Sequence, residues 1–130
     1  EIRSGTVADA ASIKLPKRIP YHVAMDLLLT GRWFDADEAK QWGLVRQICE
    51  PGDLLDKDWE LARHLASGPP LVYAAIKEVV REAEDMRFQD ALNRVTKRQI
   101  ASVDRLYGSE DLMEGQNAFT EKRDPVWKGR

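Results

Sequence analysis

Cysteine is almost missing: Cys49 is the only one in 130 residues. One thiol excludes an intrachain disulfide framework and a cysteine-based zinc cluster. In the short apolar stretch where it falls, nothing nearby would lower its pKa, so it reads as a buried, inert thiol. Histidine is scarce too, with His22 and His64 in separate helical stretches and no Cys or Asp placed to complete a triad. Neither charge sign is in excess, 20 basic against 22 acidic residues giving a net charge of −2. Without a local surplus of Lys and Arg, neither nucleic acid nor a membrane surface is an expected partner. No apolar run approaches the roughly 20 residues of a membrane span. A Gly-rich phosphate loop, an HExxH pair and a GxSxG elbow are all lacking, and nothing repeats at a fixed period. There is no initiating Met and no charged-then-apolar leader. The opening Glu1-Ile2-Arg3-Ser4-Gly5 therefore reads as the interior of a longer protein, this chain being its carboxy-terminal part, and the expected location is cytoplasmic.

What is present is ordinary globular composition, 43% hydrophobic and 32% charged, arranged mostly at helical spacing. The first six residues read as the end of a strand turned by Gly5. A short helix is expected over 9–15, stopped by Pro16, and another from Pro20 to Leu29, ended by Gly31. Asp35 with Glu38 three residues on is a capping-box pattern for a helix that closes at Gly43. Leu44 to Cys49 reads as a short strand, followed by a Pro51-Gly52 turn. Three longer helices follow. Leu54, Leu55, Trp59, Leu61, Ala62 and Leu65 mark the first, broken by Gly68-Pro69-Pro70. Val72, Ala75, Ile76, Val79, Val80 and Ala83 mark the second. From Phe88 through Leu92, Val95, Ile100, Val103 and Leu106 a single helix of about 30 Å is expected, closed by Gly108. Ser109 caps a last helix with Glu110 and Asp111 in its first turn, where the helix dipole favours them, and Asp124-Pro125 ends it. The stripes are wider than one small bundle needs, so part of this apolar surface is expected to meet another subunit or the rest of the protein.

Two stretches carry chemistry. A carboxylate at Glu1, beside a glycine turn, serves as a general acid or base if burial raises its pKa; taken alone it is a solvated terminal side chain. Near the other end, the flat face of Phe119 beside the cations Lys122 and Arg123 suits an adenine ring carrying phosphates. The plainer reading there is a helix whose charged last turn balances its dipole.

The order Glu1-Ile2-x-x-Gly5, Leu15-Pro16, Leu28-Leu29-Thr30-Gly31-Arg32, Ala36-x-Glu38-Ala39, Trp42-Gly43-Leu44-Val45 and Glu114-Gly115-x-x-Ala118-Phe119-x-Glu121-Lys122-Arg123 closely resembles the enoyl-CoA hydratase/isomerase (crotonase) superfamily. The likeness covers essentially the whole chain and corresponds to the second half of such an enzyme. The close, Glu121 to Arg130, looks especially like the carnitinyl-CoA dehydratase branch.

The resemblance implies an α/β crotonase fold, a spiral of ββα turns followed by helices that build a trimer, often paired into a hexamer. Residues 1–15 would then be the end of the spiral core, with an active-site strand and loop, and 16–130 the helical region with the trimerisation helices. The implied activity is a lyase's: adding or removing water across the α,β bond of an enoyl-CoA thioester, crotonobetainyl-CoA or carnitinyl-CoA being candidate substrates. Two backbone N–H groups would polarise the thioester carbonyl, and two glutamates would handle protons and water. Glu1, with Gly5, matches the second glutamate's Pro-Glu-x-x-x-Gly motif. The first glutamate and the oxyanion donors belong to the half that precedes Glu1. Asp9 aligns with the residue whose backbone N–H positions the reacting water. There the family's Pro-Asp/Gly-x-Gly-Gly turn is replaced by Ala8-Asp9-Ala10-Ala11-Ser12, and left-handed geometry at Ala11 or Ser12 would cost about 1 kcal/mol each. Phe119 and Lys122 match positions that approach the adenine and 3′-phosphate of CoA. The resemblance implies no metal and no redox cofactor, CoA arriving with the substrate. The expected partners are the acyl-CoA thioester, the amino-terminal half and like subunits. The alternatives are a double-bond isomerase that uses Glu1 only as a proton shuttle, and a non-catalytic oligomerisation module.

Overall fold

A computed structural model describes residues 1–130. The chain forms two compact units, Glu1–Leu55 and Asp56–Arg130; the expected boundary after residue 15 falls inside the first. Helices α1 (Asp9–Lys14), α2 (Tyr21–Thr30) and α3 (Ala36–Gln41) lie in the first unit, and α4 (Leu54–Ala66) begins at its end. The second holds α5 (Pro70–Ala83), α6 (Phe88–Thr96), α7 (Ala101–Tyr107) and α8 (Glu110–Glu121). The structure contains no β-strand.

The core of the first unit is the inward face of α2. Val23, Ala24 and Leu27, one turn apart, are buried with Ile19, and Leu15, Trp42 and Leu44 pack on them. Pro20 caps α2, its carbonyl accepting from the amides of Val23 and Ala24 at 3.0 Å each. Gly31 ends the helix in the left-handed region, φ 59°. The Asp35 carboxylate caps α3 by accepting from the Glu38 amide at 2.8 Å. Only half of the capping box forms, because the Glu38 side chain turns instead to Arg32.

Both expected strands are corrected. Ile2–Ser4 is a 3-10 turn closed by Gly5 at φ 75°, so the active-site strand anticipated within 1–15 is replaced by a turn and then α1. Beyond α3, the amides of Leu44 and Val45 both return to the Ala39 carbonyl, at 2.8 and 3.4 Å, and 44–49 runs irregularly with Cys49 half-buried and free. A strand needs a neighbour to take its backbone groups, and this chain supplies none.

In the second unit Ala75 of α5 is buried with Ile100 and Val103, and Val79, Val95 and Leu106 pack on them. The single helix expected from Phe88 to Leu106 is two. Arg98 adopts φ 53° and the Gln99 amide reaches back to the Arg94 carbonyl at 2.8 Å, the six-to-one bond of a helix stop. No side chain of its own first turn caps α7; the Glu78 carboxylate, on α5, accepts from the Ser102 amide at 3.0 Å, and hydrogen bonding with Ser102, side chain first and then backbone, holds its pKa below the usual carboxylate range. Every residue of α4 is exposed. α8 starts at Ser109, whose hydroxyl accepts from the Leu112 amide at 3.1 Å. It ends at Glu121, three residues before Asp124-Pro125, because Lys122 turns left-handed.

Candidate functional site

The Glu1 backbone is tied down by its own turn. Its carbonyl accepts from the amides of Ser4 and Thr6, at 2.9 and 3.1 Å, and from the Ser4 hydroxyl at 2.8 Å. The next residue anchors the turn to α2: a Cβ on Gly31 would collide with the Ile2 side chain. Gly31 is thus required twice, for its left-handed backbone and for the close approach of Ile2. One end of α2 is itself clamped. Arg32 pairs with Asp26 of α2 and, through both terminal nitrogens, with Glu38 of α3, whose carboxylate also accepts from the Trp42 indole at 3.3 Å. These contacts hold the Glu38 pKa below its usual range, the Arg32 hydrogen bond first. The Leu-Thr-Gly-Arg and Ala-x-Glu-Ala motifs therefore build the platform on which Glu1 is held.

The Glu1 side chain is exposed within this chain and lines a cleft of about 770 Å³. Its other walls are largely apolar, among them Ile2, Val7, Leu15, Met25, Leu28 and Phe34. Glu1 also shares with Asp9 the lining of a second cleft of about 640 Å³. Asp9 is the first residue of α1, so its amide has no partner inside the helix and is a donor left to something else. The backbone-strain question raised by the missing glycines does not arise, since Ala11 and Ser12 lie in the right-handed turn of α1. The structure thus brings Glu1 and Asp9 to a common wall.

Phe119 and Lys122 belong to the second unit. Phe119 is 87% exposed on α8 and lines an apolar pocket of about 370 Å³ with Leu71, Tyr107 and Trp127. Lys122 is exposed at the end of α8, φ 54° and ψ 42°, while the Arg123 amide reaches back to the Ala118 carbonyl at 3.1 Å. Arg123 does not project toward a ligand. Its guanidinium spans both oxygens of Glu114, at 2.6 and 3.0 Å, and also meets Glu121 at 2.6 Å. Glu114 is consequently pushed down to about 2, the Arg123 hydrogen bond being the main cause and the Val126 amide the next. Of the two cations seen beside Phe119 in the sequence, only Lys122 is left to meet an anion.

Sequence reasoning missed Asp111. It reads as one acidic residue in a first turn, but it is 2% exposed and its carboxylate accepts from the amides of Lys128 and Gly129 at 2.8 and 2.9 Å. The only signal was the face Asp111, Glu114, Gly115, Ala118, which lies at helical spacing without being apolar. His22 and His64 are both exposed; His22 stands edge-on to Trp42, ring centroids 6.2 Å apart.

The enoyl-CoA hydratase/isomerase family model matches residues 1–130, the whole chain. The chain belongs to the enoyl-CoA hydratase/isomerase family. Within it, the chain is 39% identical over 130 residues to a carnitinyl-CoA dehydratase of Salmonella arizonae, covering 99% of this chain and 50% of that protein. It is 38% identical to the one of Citrobacter koseri, covering 100% and 50%. Among solved structures of the family, an enoyl-CoA hydratase subunit I from Geobacillus kaustophilus superposes with a TM-score of 0.89 at 34% identity, covering 100% of this chain and 49% of that one. The enoyl-CoA hydratase from Mycobacterium tuberculosis gives 0.86 at 34%, with 100% and 50% covered. The chain spans about half the length of the curated relatives it matches. Its helices are those of the carboxy-terminal part of the crotonase fold.

Proposed function

We propose that the complete protein is a lyase that adds water to, or removes it from, the α,β bond of an enoyl-CoA thioester, with crotonobetainyl-CoA and carnitinyl-CoA as the substrate pair to test first. The observation that carries this reading is Glu1, held by Ile2 on Gly31 at the wall of a large, mostly apolar cleft and sharing a second wall with the Asp9 amide. In hydration the oxygen of water bonds to the β carbon and a proton reaches the α carbon, the electron pair of the double bond passing through an enolate-like thioester. Glu1 moves one of these protons or holds the water together with a second carboxylate, and the Asp9 amide orients that water. Lys122 neutralises phosphate, and Phe119 offers its ring to adenine. The reaction calls for no metal and no redox group, since CoA arrives with the substrate. The chain works with the amino-terminal half of the same enzyme and with like subunits, as a trimer or hexamer, in the cytoplasm. No helix is long and apolar enough to cross a membrane.

Glu1→Gln in the complete protein tests the reading. The neutral amide cannot take a proton, so turnover of crotonobetainyl-CoA and of short straight-chain enoyl-CoAs is expected to fall about 10²–10⁴-fold with little change in thioester affinity. Hydration at close to the normal rate would remove Glu1 from the chemistry. Conversion of a β,γ-enoyl-CoA to the α,β isomer without uptake of solvent oxygen would reassign the enzyme as an isomerase.

A further inference from the structure

The last five residues, Val126–Arg130, contain no helix or strand, yet they are hydrogen-bonded along their whole length to α7 and α8. The Val126 amide donates to Glu114 at 2.9 Å. The amides of Lys128 and Gly129 donate to the two oxygens of Asp111, and the Asp111 amide returns a bond to the Arg130 carbonyl at 3.1 Å. Arg105 of α7 adds a bond to the Gly129 carbonyl at 3.1 Å. Of these anchors only Asp111 is buried. A buried carboxylate is costly unless its oxygens are satisfied, and here backbone amides of the tail satisfy them.

The tail is held in this way around one side chain, Trp127, which is half-buried. Its ring lies over Gly115, where an added Cβ would stand 3.2 Å from the ring edge. Any larger residue at 115 must push the indole outward. Trp127 thereby becomes one wall of the 370 Å³ pocket that Phe119 and Tyr107 also line, a size within the range of small-ligand sites, about 300–1,000 Å³. An apolar slot walled by the rings of Tyr107, Phe119 and Trp127 suits a nucleobase, whose flat face stacks on such rings.

We propose that Asp111 is a positioning residue for the adenine end of CoA, pinning the tail so that Trp127 forms one wall of the Phe119 pocket. This rests on the reading above, in which Phe119 meets adenine. Asp111 touches no reacting atom. It acts through Lys128 and Gly129 on Trp127, and its effect is confined to substrates that carry the nucleotide.

The test compares an enoyl-CoA with the matching enoyl-pantetheine, which has the same thioester but no adenine nucleotide, in the complete enzyme. Asp111→Asn keeps the volume and one acceptor but cannot receive both tail amides. It is expected to raise KM for the enoyl-CoA about tenfold with kcat held, and to leave kcat/KM for the pantetheine thioester at the wild-type value. Equal losses on both substrates would make Asp111 a folding residue only, and no loss on either would sever it from the site; both outcomes overturn the proposal. Should Asp111→Asn not fold, Trp127→Leu decides with the latch intact: a loss selective for the CoA substrate supports the proposal, and an unselective one overturns it. Phe119→Ala separates the two levels. If Phe119→Ala is selective while Asp111→Asn and Trp127→Leu are not, the positioning role fails alone. If Phe119→Ala is not selective either, the adenine reading itself fails.

Discussion

Lys122 holds φ 54° and ψ 42°, a left-handed conformation that costs a residue with a Cβ about 1 kcal/mol relative to glycine. Glycine is the usual residue at such a helix stop, and the Arg123-to-Ala118 bond that seals the stop uses only backbone atoms. A lysine there is therefore unfavourable for the fold unless its charge is needed. This separates two variants that remove the same ammonium. Lys122→Gly is expected to raise stability by about 1 kcal/mol, seen as a higher Tm of the complete protein, while Lys122→Ala keeps the strain and gains nothing comparable. Both are expected to weaken CoA-thioester binding at low salt, with the gap to wild type narrowing as salt screens the phosphate contact. Titration calorimetry at two ionic strengths reads the second effect. Unchanged affinity in both variants at low salt would free Lys122 from any ligand role.

At the scale of the helix, part of the tail's attachment to α8 depends on one ionised carboxylate. Glu114 is held at about 2 against an ordinary value of 4.5. A depressed carboxylate contributes stability that is fully present above its unfolded pKa and disappears as pH falls through the folded one. The stability difference between wild type and Glu114→Gln is thus expected to be constant above about pH 5.5 and to shrink between about pH 4.5 and 2. Denaturant unfolding across that range checks it, and a difference that persists undiminished to pH 2 would mean that the ion pair with Arg123 is not its source. The same helix shows what could be read in advance. Ser109, Glu110 and Asp111 announce the start of α8 by residue type, as Asp35 and Glu38 announce α3 and Gly31 the end of α2, because caps and stops are local. The break between α6 and α7 carries no such mark. Neither Gly nor Pro stands in Lys97-Arg98-Gln99-Ile100, and the apolar spacing runs on across it. What selects the break is distant in sequence: the Glu78 cap on Ser102 and the burial of Ile100 against Ala75. Glu1 and Asp9 were legible as a pair only through family likeness; what joins them is the turn in which the Glu1 carbonyl accepts from the Ser4 and Thr6 amides, and no residue type announces it. The strands expected at either end of the first unit failed for a related reason, because pairing is a long-range property that a half-length chain does not contain.

For the chain as a whole, surface is the decisive quantity. It exposes 10245 Å², whereas even two separately compact units of these lengths would expose about 8,400 Å² together. The excess, about 1,800 Å² by that scaling, is about twice the roughly 800 Å² that one partner contributes to a standard protein interface. Its apolar part is organised rather than scattered. α5 buries Leu71 and Ala75 on one side, while Ile76 and Val80, four residues apart on another, are 55% and 60% exposed; on α4, Leu55 and Trp59 repeat the spacing at 69% and 60%. A helix with two apolar faces has a second surface to cover. If like subunits cover the α5 face, replacing Ile76 and Val80 together by Glu should lower the mass of the complete protein in sedimentation without unfolding the subunit. Val79→Glu, which strikes the packed side against Ile100 and Val103, should instead abolish the cooperative unfolding transition. A double variant that sediments like wild type would show that the Ile76–Val80 face meets the amino-terminal half within one subunit, and the search for the subunit contact would move to Leu55 and Trp59.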